Sequence, residues 1–496
     1  MTTEHPAPSP AATSTTSTRE QHQLQRGSLG VFGVTFFVIS AAAPLTAMAG
    51  GAPVAMLLGN GPGVPGAYIV AVLTLLVFAV GYTTMARHHT STGAFYSYVT
   101  RGLRQQFGGA AAYLALLSYN AMQIGLWGLF GAAVTGFVSD EFGVSIDWWV
   151  FVLIGIAIVA VLGYRQIDLS VKVLSVLVAA EFLVVIVLAI VIAVKGGDFG
   201  TTSLSVTPLT PSSLTSGSLP IALLFCFASF VGFEATAIYS EEAKDPKRTV
   251  PRATFLAVIT IGVVYTAVTF LMVNGAGVGN IPGYIAKLAD PTTFLFDLSN
   301  SYIGSWFTTI MRLLFITSVF AAVLAFHNAV ARYTYALGRE GLLPEQAGRT
   351  HRTHQSPHVG SVAQTTVAVI VVAIFALAGQ DPVLALFTWL TNLGTLGVIA
   401  LMAASSFAVV AFFLCHRDLE RNLLRTLVAP LVAGIALIAI LWYAIANFGL
   451  LISSGGILVW LLPALLLVAA VLGAGASLVL RSRSPQLYAE MGRHRE

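Results

Sequence analysis

Charged side chains are what this sequence has least of: Asp, Glu, Lys and Arg make up 9% of its 496 residues, where a soluble chain carries about 25%. So little charge cannot clothe a water-facing surface of that size. With 56% hydrophobic residues and a mean hydropathy of +0.84, the composition reads as an all-α integral membrane protein. Cysteine is nearly missing too. Cys226 and Cys415 lie in or beside apolar runs, which leaves no disulfide framework and no cysteine metal cluster. None of the five lysines is followed by Ser or Thr, so there is no Walker A lysine and no sign of an ATP-driven pump. No catalytic cluster points to an enzyme, no cofactor is implied, and no basic run on a soluble module points to nucleic acid. Loops long enough for a soluble signalling domain are absent, so a transport-derived sensor is only a remote reading. Residues 1–27 are rich in Ser, Thr, Pro and Ala without an apolar core. They are expected to form a disordered cytoplasmic tail rather than a signal peptide.

What the chain does have is long apolar runs. Crossing a bilayer takes about 20 apolar residues, and twelve stretches qualify: 30–57, 66–85, 108–137, 148–164, 172–194, 219–240, 253–273, 303–337, 360–378, 383–414, 428–447 and 456–480. The first, third, eighth and tenth are too long for perpendicular spans and imply tilt or protrusion. With both termini cytoplasmic, all of the 25 Lys and Arg residues lie inside except Lys195 and Lys287, and Arg312 and Arg332 within span eight. That asymmetry is the positive-inside pattern of a multi-pass cell-membrane protein.

The most informative stretch is LPIALLFCFASFVGFEATAIYSEEAKD, residues 219–245. It starts as a span, then meets Gly232 between Phe230 and Phe233, and directly afterwards the carboxylate of Glu234. Glycine weakens a helix, and a charge at depth costs about 2.5–3.5 kcal/mol on insertion scales. Both are tolerable if the helix breaks here and its freed backbone lines a cavity, then resumes towards the charged loop. A kinked structural helix with a snorkelling Glu accounts for these residues equally well. The first span offers a counterpart, because Pro44 removes an N–H and should interrupt the helix near Ser40 to Pro44. Spans one and six open two sets of five that enter the membrane from opposite sides. Paired interruptions in such halves point to an inverted-repeat transporter. The expected layout is a first repeat at 28–195, an extracellular loop at 196–218 and a second repeat at 219–414. Two more spans follow in 415–480, and residues 481–496 form a cytoplasmic tail.

Other polar groups at depth are few. Tyr113, Asn120, Gln123 and Trp127 share one face of span three, where interhelical bonding and substrate contact are both open. ARHHTSTGAFYSYVTRGL after span two reads as a basic amphipathic helix at the cytoplasmic side. His327 near the inner end of span eight reads as packing more readily than gating, and Arg312 in its outer half as a snorkelling cation. Glu181 stands alone in VLSVLVAAEFLVVIVLAI of span five. In so apolar a wall the neutral acid is favoured, which makes Glu181 a candidate proton carrier and equally a neutral acid bonded to a neighbour. A channel remains a rival to a transporter, and the paired broken helices argue against it.

Three segments carry a family resemblance: FVGFEATAIYSEEAKDPKRTVPRA at 230–253, GAFYSYVTRGL at 93–103 and ARYTYALGREGLLP at 331–344. On these the chain resembles the amino acid–polyamine–organocation superfamily of permeases, over about Gly30 to Leu480. The resemblance implies a 5+5 inverted repeat of twelve helices with discontinuous helices one and six. It also implies transport of amino acids or related amines by alternating access. Carried over by motif, the substrate carboxylate would meet Ser40, Ala41, Ala42 and Ala43, and its amine Phe230, Val231 and Gly232. Pro44, Asn120, Gln123, Phe227 and Ala228 would line or gate the path. This chain departs from the family in having SAAAP where a Gly-x-Gly run is usual, and Ala228 where a bulky aromatic often gates. The latter moves the gating role to Phe230 or leaves room for a larger substrate. Proton coupling would fall to Glu181 and Glu234. Thr317 and Ser318 mark a lower-weight sodium site, as paired hydroxyls in that region do in fold-relatives that use sodium. Proton-coupled amino acid uptake is thus the expectation, with a polyamine or other organic-amine permease, or an amino acid exchanger, as alternatives.

Overall fold

The computed structural model describes residues 30–89, 94–165, 171–234, 236, 243–351, 356–452 and 456–492. The N-terminal tail expected at 1–27, residues 493–496 and the acidic pair Glu241–Glu242 lie outside the described residues, as does most of the stretch where the sixth span was expected to resume. The described chain is helical almost throughout and forms no β-sheet. Helix is found in each predicted span, though in span six it covers only Leu219–Ala228 of the described residues. Among the described residues nine stretches are long and apolar enough to cross a membrane, and three shorter apolar helices lie at Thr46–Leu58, Trp148–Tyr164 and Leu219–Ala228.

The first span is two helices. Helix α1 is Val31–Ala41, and α2 is Thr46–Leu58, with a π-helical first turn at Thr46–Gly51. Next come α3 (Val64–His88), the short α4 (Ala94–Gly102) and α5 (Gln105–Phe142). Helix α5 has 38 residues, which at about 1.5 Å per residue is roughly 57 Å and far exceeds the hydrocarbon thickness of about 30 Å. The excess length expected of the third span is therefore protrusion, and Gly143 in the left-handed region (φ 68°) stops the helix. Helices α6 (Trp148–Tyr164) and α7 (Val171–Lys195) follow.

The second half opens with α8 (Leu219–Ala228), which carries Pro220 in its first turn, where a missing N–H costs nothing. Then come α9 (Pro246–Gly275), α10 (Phe294–Tyr302), α11 (Ser305–Arg339), α12 (His358–Leu377) and α13 (Thr388–Cys415). The π-helical turn before α13 is fixed by Asp381, whose Oδ1 accepts the N–H groups of Val383 and Leu384 at 2.8 and 2.6 Å. Helices α14 (Ala429–Ala446) and α15 (Leu458–Arg483) complete the bundle.

Helix α5 is the spine and packs against α4, α6, α11, α13 and α15. Close approach is enforced by Gly128: a Cβ there would lie 2.2 Å from the Pro382 carbonyl oxygen, so a larger residue would push the backbones apart. Helix α9 holds the other side, touching α1, α3 and α7, while α7 also meets α11. The basic amphipathic segment expected at the cytoplasmic side forms α4 over its described part, and its apolar face is packed. Phe95, Tyr96, Tyr98 and Val99 are buried between α5 and α13.

Candidate functional site

The helix of span one is interrupted and that of span six gives way to turns, each with a local cause. In the first, α1 ends at Ala41, Ala42 and Ala43 leave the helix, and helical backbone restarts at Pro44. Proline sits where a new helix needs no donor, so it marks the start of the second half rather than the middle of the gap. Ala43 takes φ +42°, a left-handed conformation that costs an L-residue roughly 1–2 kcal/mol. In the second break, α8 ends at Ala228 and residues 229–234 run on as turns. Their bonds tighten to a three-residue spacing, with Phe230 N–H donating to Phe227 O and Val231 N–H to Ala228 O. Gly232 sits at φ +110°, where side chains are strongly disfavoured.

The two carboxylates at depth have different surroundings. Glu234 serves the turn it follows. Its Oε2 accepts the Gly232 N–H at 2.9 Å and its Oε1 accepts the Tyr119 hydroxyl at 2.8 Å. The Tyr82 hydroxyl donates to the Glu234 carbonyl at 2.9 Å. Glu181 reaches across from α7 to the first break. Its Oε2 accepts the Ser318 hydroxyl of α11 at 2.8 Å and the Leu45 N–H, at the start of the second half-helix, at 3.4 Å. Ser318 has spent its one proton, so at 2.9 Å the Thr46 hydroxyl donates to it. Thr46, Ser318 and Glu181 form a directed chain that ties α2, α11 and α7 together. Both acids are buried, at 3% exposure for Glu181 and 2% for Glu234, so these bonds are their sources of stabilisation in place of water.

An aromatic wall joins the two breaks. The Tyr265 hydroxyl donates to Ala42 O at 3.2 Å, while its ring lies 5.8 Å from Tyr68 and 6.1 Å from Phe230. Tyr68 in turn donates to Ser229 Oγ at 2.9 Å, since Ser229 itself donates to Phe225 O. Phe230, Val231, Ala42 and Ala43 are all buried, so in this conformation the breaks are largely shut off from solvent. The arrangement has the parts needed for a zwitterion: a half-helix N-terminus favours an anion, and unwound backbone carbonyls favour a cation.

Several expected site residues have partners of their own. Gln123 accepts a bond from Gln364 of α12 at 2.7 Å, and Asn120 donates to Leu116 O one turn back along α5. Tyr113 donates to Leu342 O. Gln123 and Tyr113 thus bond other elements, whereas the Asn120 bond stays within α5. Phe227 is buried and Ala228 half-buried, so it is the Phe230 ring that stands at the aromatic wall. His327 bonds Ser361 at 2.8 Å, and Arg312 pairs with Asp140. The expected hydroxyl pair is corrected. Thr317 is exposed on the outer face of α11 and donates to Leu314 O, because adjacent helical residues point about 100° apart. Ser318 alone turns inward, and its hydroxyl partner is Thr46. Among the described residues no group of three or more His, Cys, Asp or Glu side chains could hold a metal ion.

Sequence reasoning missed Tyr68, Tyr119, Tyr265, Ser229 and Thr46. Ser229 and Thr46 could have been flagged, because each is a hydroxyl within two residues of a break. The three tyrosines carry no such mark, being scattered aromatics in apolar helices.

Comparison with known proteins gives one family and several relatives. A family model described as amino acid permease matches residues 29–476. The chain is 25% identical over 343 residues to the low-affinity putrescine importer PlaP of Escherichia coli K12, covering 67% of this chain and 70% of the relative. It is 24% identical over 453 residues to the branched-chain amino acid permease BcaP of Bacillus subtilis, covering 88% and 89%. It is 25% identical over 340 residues to the chloroplastic cationic amino acid transporter 7 of Arabidopsis thaliana, covering 64% and 55%.

Proposed function

The chain belongs to the amino acid permease family, and on that premise we propose that it is a secondary active transporter taking up amino acids with protons by alternating access. One observation carries the coupling: Glu181 on α7 bonds Ser318 on α11 and the Leu45 N–H at the first break. A carboxyl so placed changes its bonds to two moving elements when it gains or loses a proton, so protonation and the conformation of the first break are linked. Glu234 has a different part in this reading. It holds the Gly232 turn in shape, and the proton role falls to Glu181 alone.

The proposed layout is the pair of inverted repeats at 28–195 and 219–414 with two added spans, and with both termini on the cytoplasmic side of the cell membrane. The first half-helix break meets the substrate carboxylate at Ser40 to Ala43, and Phe230 to Gly232 meet the amine. Both oxygens of Glu234 are occupied by internal donors, and Glu181 is engaged by Ser318 and Leu45. Glu234 does not stand ready to read a cationic side chain, while Tyr68, Phe230 and Tyr265 suit an apolar one. Neutral amino acids are therefore the first substrates to test. The likeness to a putrescine importer motivates a second reading, transport of an organic amine. Sodium coupling loses support with Thr317 facing outward, since a hard cation needs several oxygens.

The test is uptake by purified protein in proteoliposomes of labelled neutral amino acids, cationic amino acids and putrescine. It is run with and without an inward proton gradient, and with choline replacing sodium. Saturable uptake of neutral amino acids, raised by the gradient and indifferent to sodium, is expected. Uptake that ignores the gradient sinks the coupling, and putrescine as sole substrate favours the amine reading.

A further inference from the structure

A cavity at the ends of α3 and α9 is lined mainly by cations. It measures about 420 Å³ and is bounded by Arg87 and His88 at the end of α3, Lys247, Arg248 and Arg252 at the start of α9, and Glu420 in the loop after α13. Arg248 has Asp245 at 3.7 Å, so among the described residues four permanent positive charges share two acids here. Among the described residues the Nε of Arg87 is buried without a hydrogen-bond partner, a donor whose desolvation none of their acceptors offsets. Excess positive charge on the exposed Lys247, Arg248 and Arg252 beside the half-buried Arg87 suits a phosphate, which accepts several charged hydrogen bonds at once.

The flanks of the cavity distinguish a lipid from a soluble anion. Leu256 and Ile259 on α9, and Leu423, Leu424 and Val428 just beyond Glu420, are exposed apolar residues. Helices α3 and α9 are both long and apolar enough to cross a membrane, so the cations stand where their charged ends meet the apolar zone. A soluble phosphate would use the cations alone, whereas an amphiphile uses both surfaces. We propose that this cavity binds the phosphate-bearing headgroup of an anionic lipid, with its acyl chains against the adjoining apolar flank. The proposal stands on the cavity and not on the transport reading. Only its assignment to the cytoplasmic leaflet follows from the proposed orientation.

The test measures binding of phosphatidylglycerol to the full chain in phosphatidylcholine nanodiscs, by native mass spectrometry and by displacement of a fluorescent phosphatidylglycerol. Arg87→Gln/Arg252→Gln should weaken phosphatidylglycerol binding roughly thirtyfold, at the worth of two basic residues near a membrane surface. Arg421→Gln/Arg425→Gln, which removes as much charge outside the cavity, should change it by less than about threefold. Glu420→Gln should tighten binding, a gain that misfolding cannot mimic. Equal weakening by both double variants would mean diffuse attraction and overturn the site, as would unchanged binding in Arg87→Gln/Arg252→Gln. If glycerol 3-phosphate displaces the labelled lipid at comparable concentration, the cavity is a soluble-phosphate site and the lipid assignment is wrong.

Discussion

Gly232→Ala perturbs the turn that ends α8, and the structure sets the size of the effect. At φ +110° an alanine can hold the native conformation only under strain, at roughly 1–3 kcal/mol. It can instead relax to a negative φ, but the Gly232 N–H then swings away from Glu234 Oε2, now 2.9 Å distant. Losing a hydrogen bond to a buried carboxyl costs about the same, 1–3 kcal/mol. Either route raises the free energy of the conformation in which Phe230, Val231 and Gly232 present their backbone to a substrate. If that conformation is the binding-competent one, substrate affinity falls by roughly five- to 150-fold. The assay is scintillation-proximity binding of the best substrate from the uptake panel, on monodisperse protein, beside thermal denaturation in detergent. The control is Gly136→Ala, since a Cβ at Gly136 meets nothing within 4 Å. Wild-type affinity in Gly232→Ala, with no loss of thermal stability, would refute the claim that this turn is both strained and part of the site.

Two further outcomes follow from single contacts. Tyr265→Phe keeps the ring against Tyr68 and Phe230 but removes the donor to Ala42 O. Substrate binding should weaken about two- to tenfold, the worth of one neutral hydrogen bond, measured by the same binding assay. Asp290, in the segment between α9 and α10, caps Thr292 N–H at 2.8 Å, and burial pushes its carboxyl above the usual aspartate range. The folded state therefore keeps this proton to higher pH than the unfolded chain. Its contribution is full at acid pH, below the unfolded value, and is lost as pH climbs through the raised one. Asp290→Asn should flatten that part of the pH profile of thermal stability in detergent, and an unchanged slope would contradict it.

Hydropathy made the helices legible because each span buries or faces lipid with a continuous apolar run, a property of local sequence alone. The first break was legible for the same reason: Pro44 acts on its own backbone. The gap at Ala42 and Ala43 falls inside the expected stretch Ser40 to Pro44, and Pro44 begins the helix that follows it. Gly232 likewise announced the second break. What could not be read is who answers a buried polar group from another helix. Glu181 was visible as an oddity, but its partners Ser318 and Leu45 lie 137 and 136 positions away. The Thr46–Ser318 pairing spans 272 positions, so nothing local to either hydroxyl announces the other. The Thr317–Ser318 pair failed because helical geometry separates neighbours that look adjacent in a string. Tyr119 rather than Asn120 reaches Glu234 for the same reason.

Glu181→Gln tests the central claim most directly. Both donors to this side chain, Ser318 and Leu45 N–H, use the single atom Oε2. A glutamine carbonyl can occupy that position and keep both bonds, so the fold and the tie between α7, α11 and the first break survive. What is lost is the exchangeable proton. Substrate counterflow between equal pools and accumulation driven by an inward proton gradient should be measured in one proteoliposome preparation. The account predicts counterflow within about threefold of wild type, since the bonds are retained, and no gradient-driven accumulation. If Glu181→Gln still concentrates substrate as wild type does, Glu181 is a neutral packing acid and the proton is carried elsewhere.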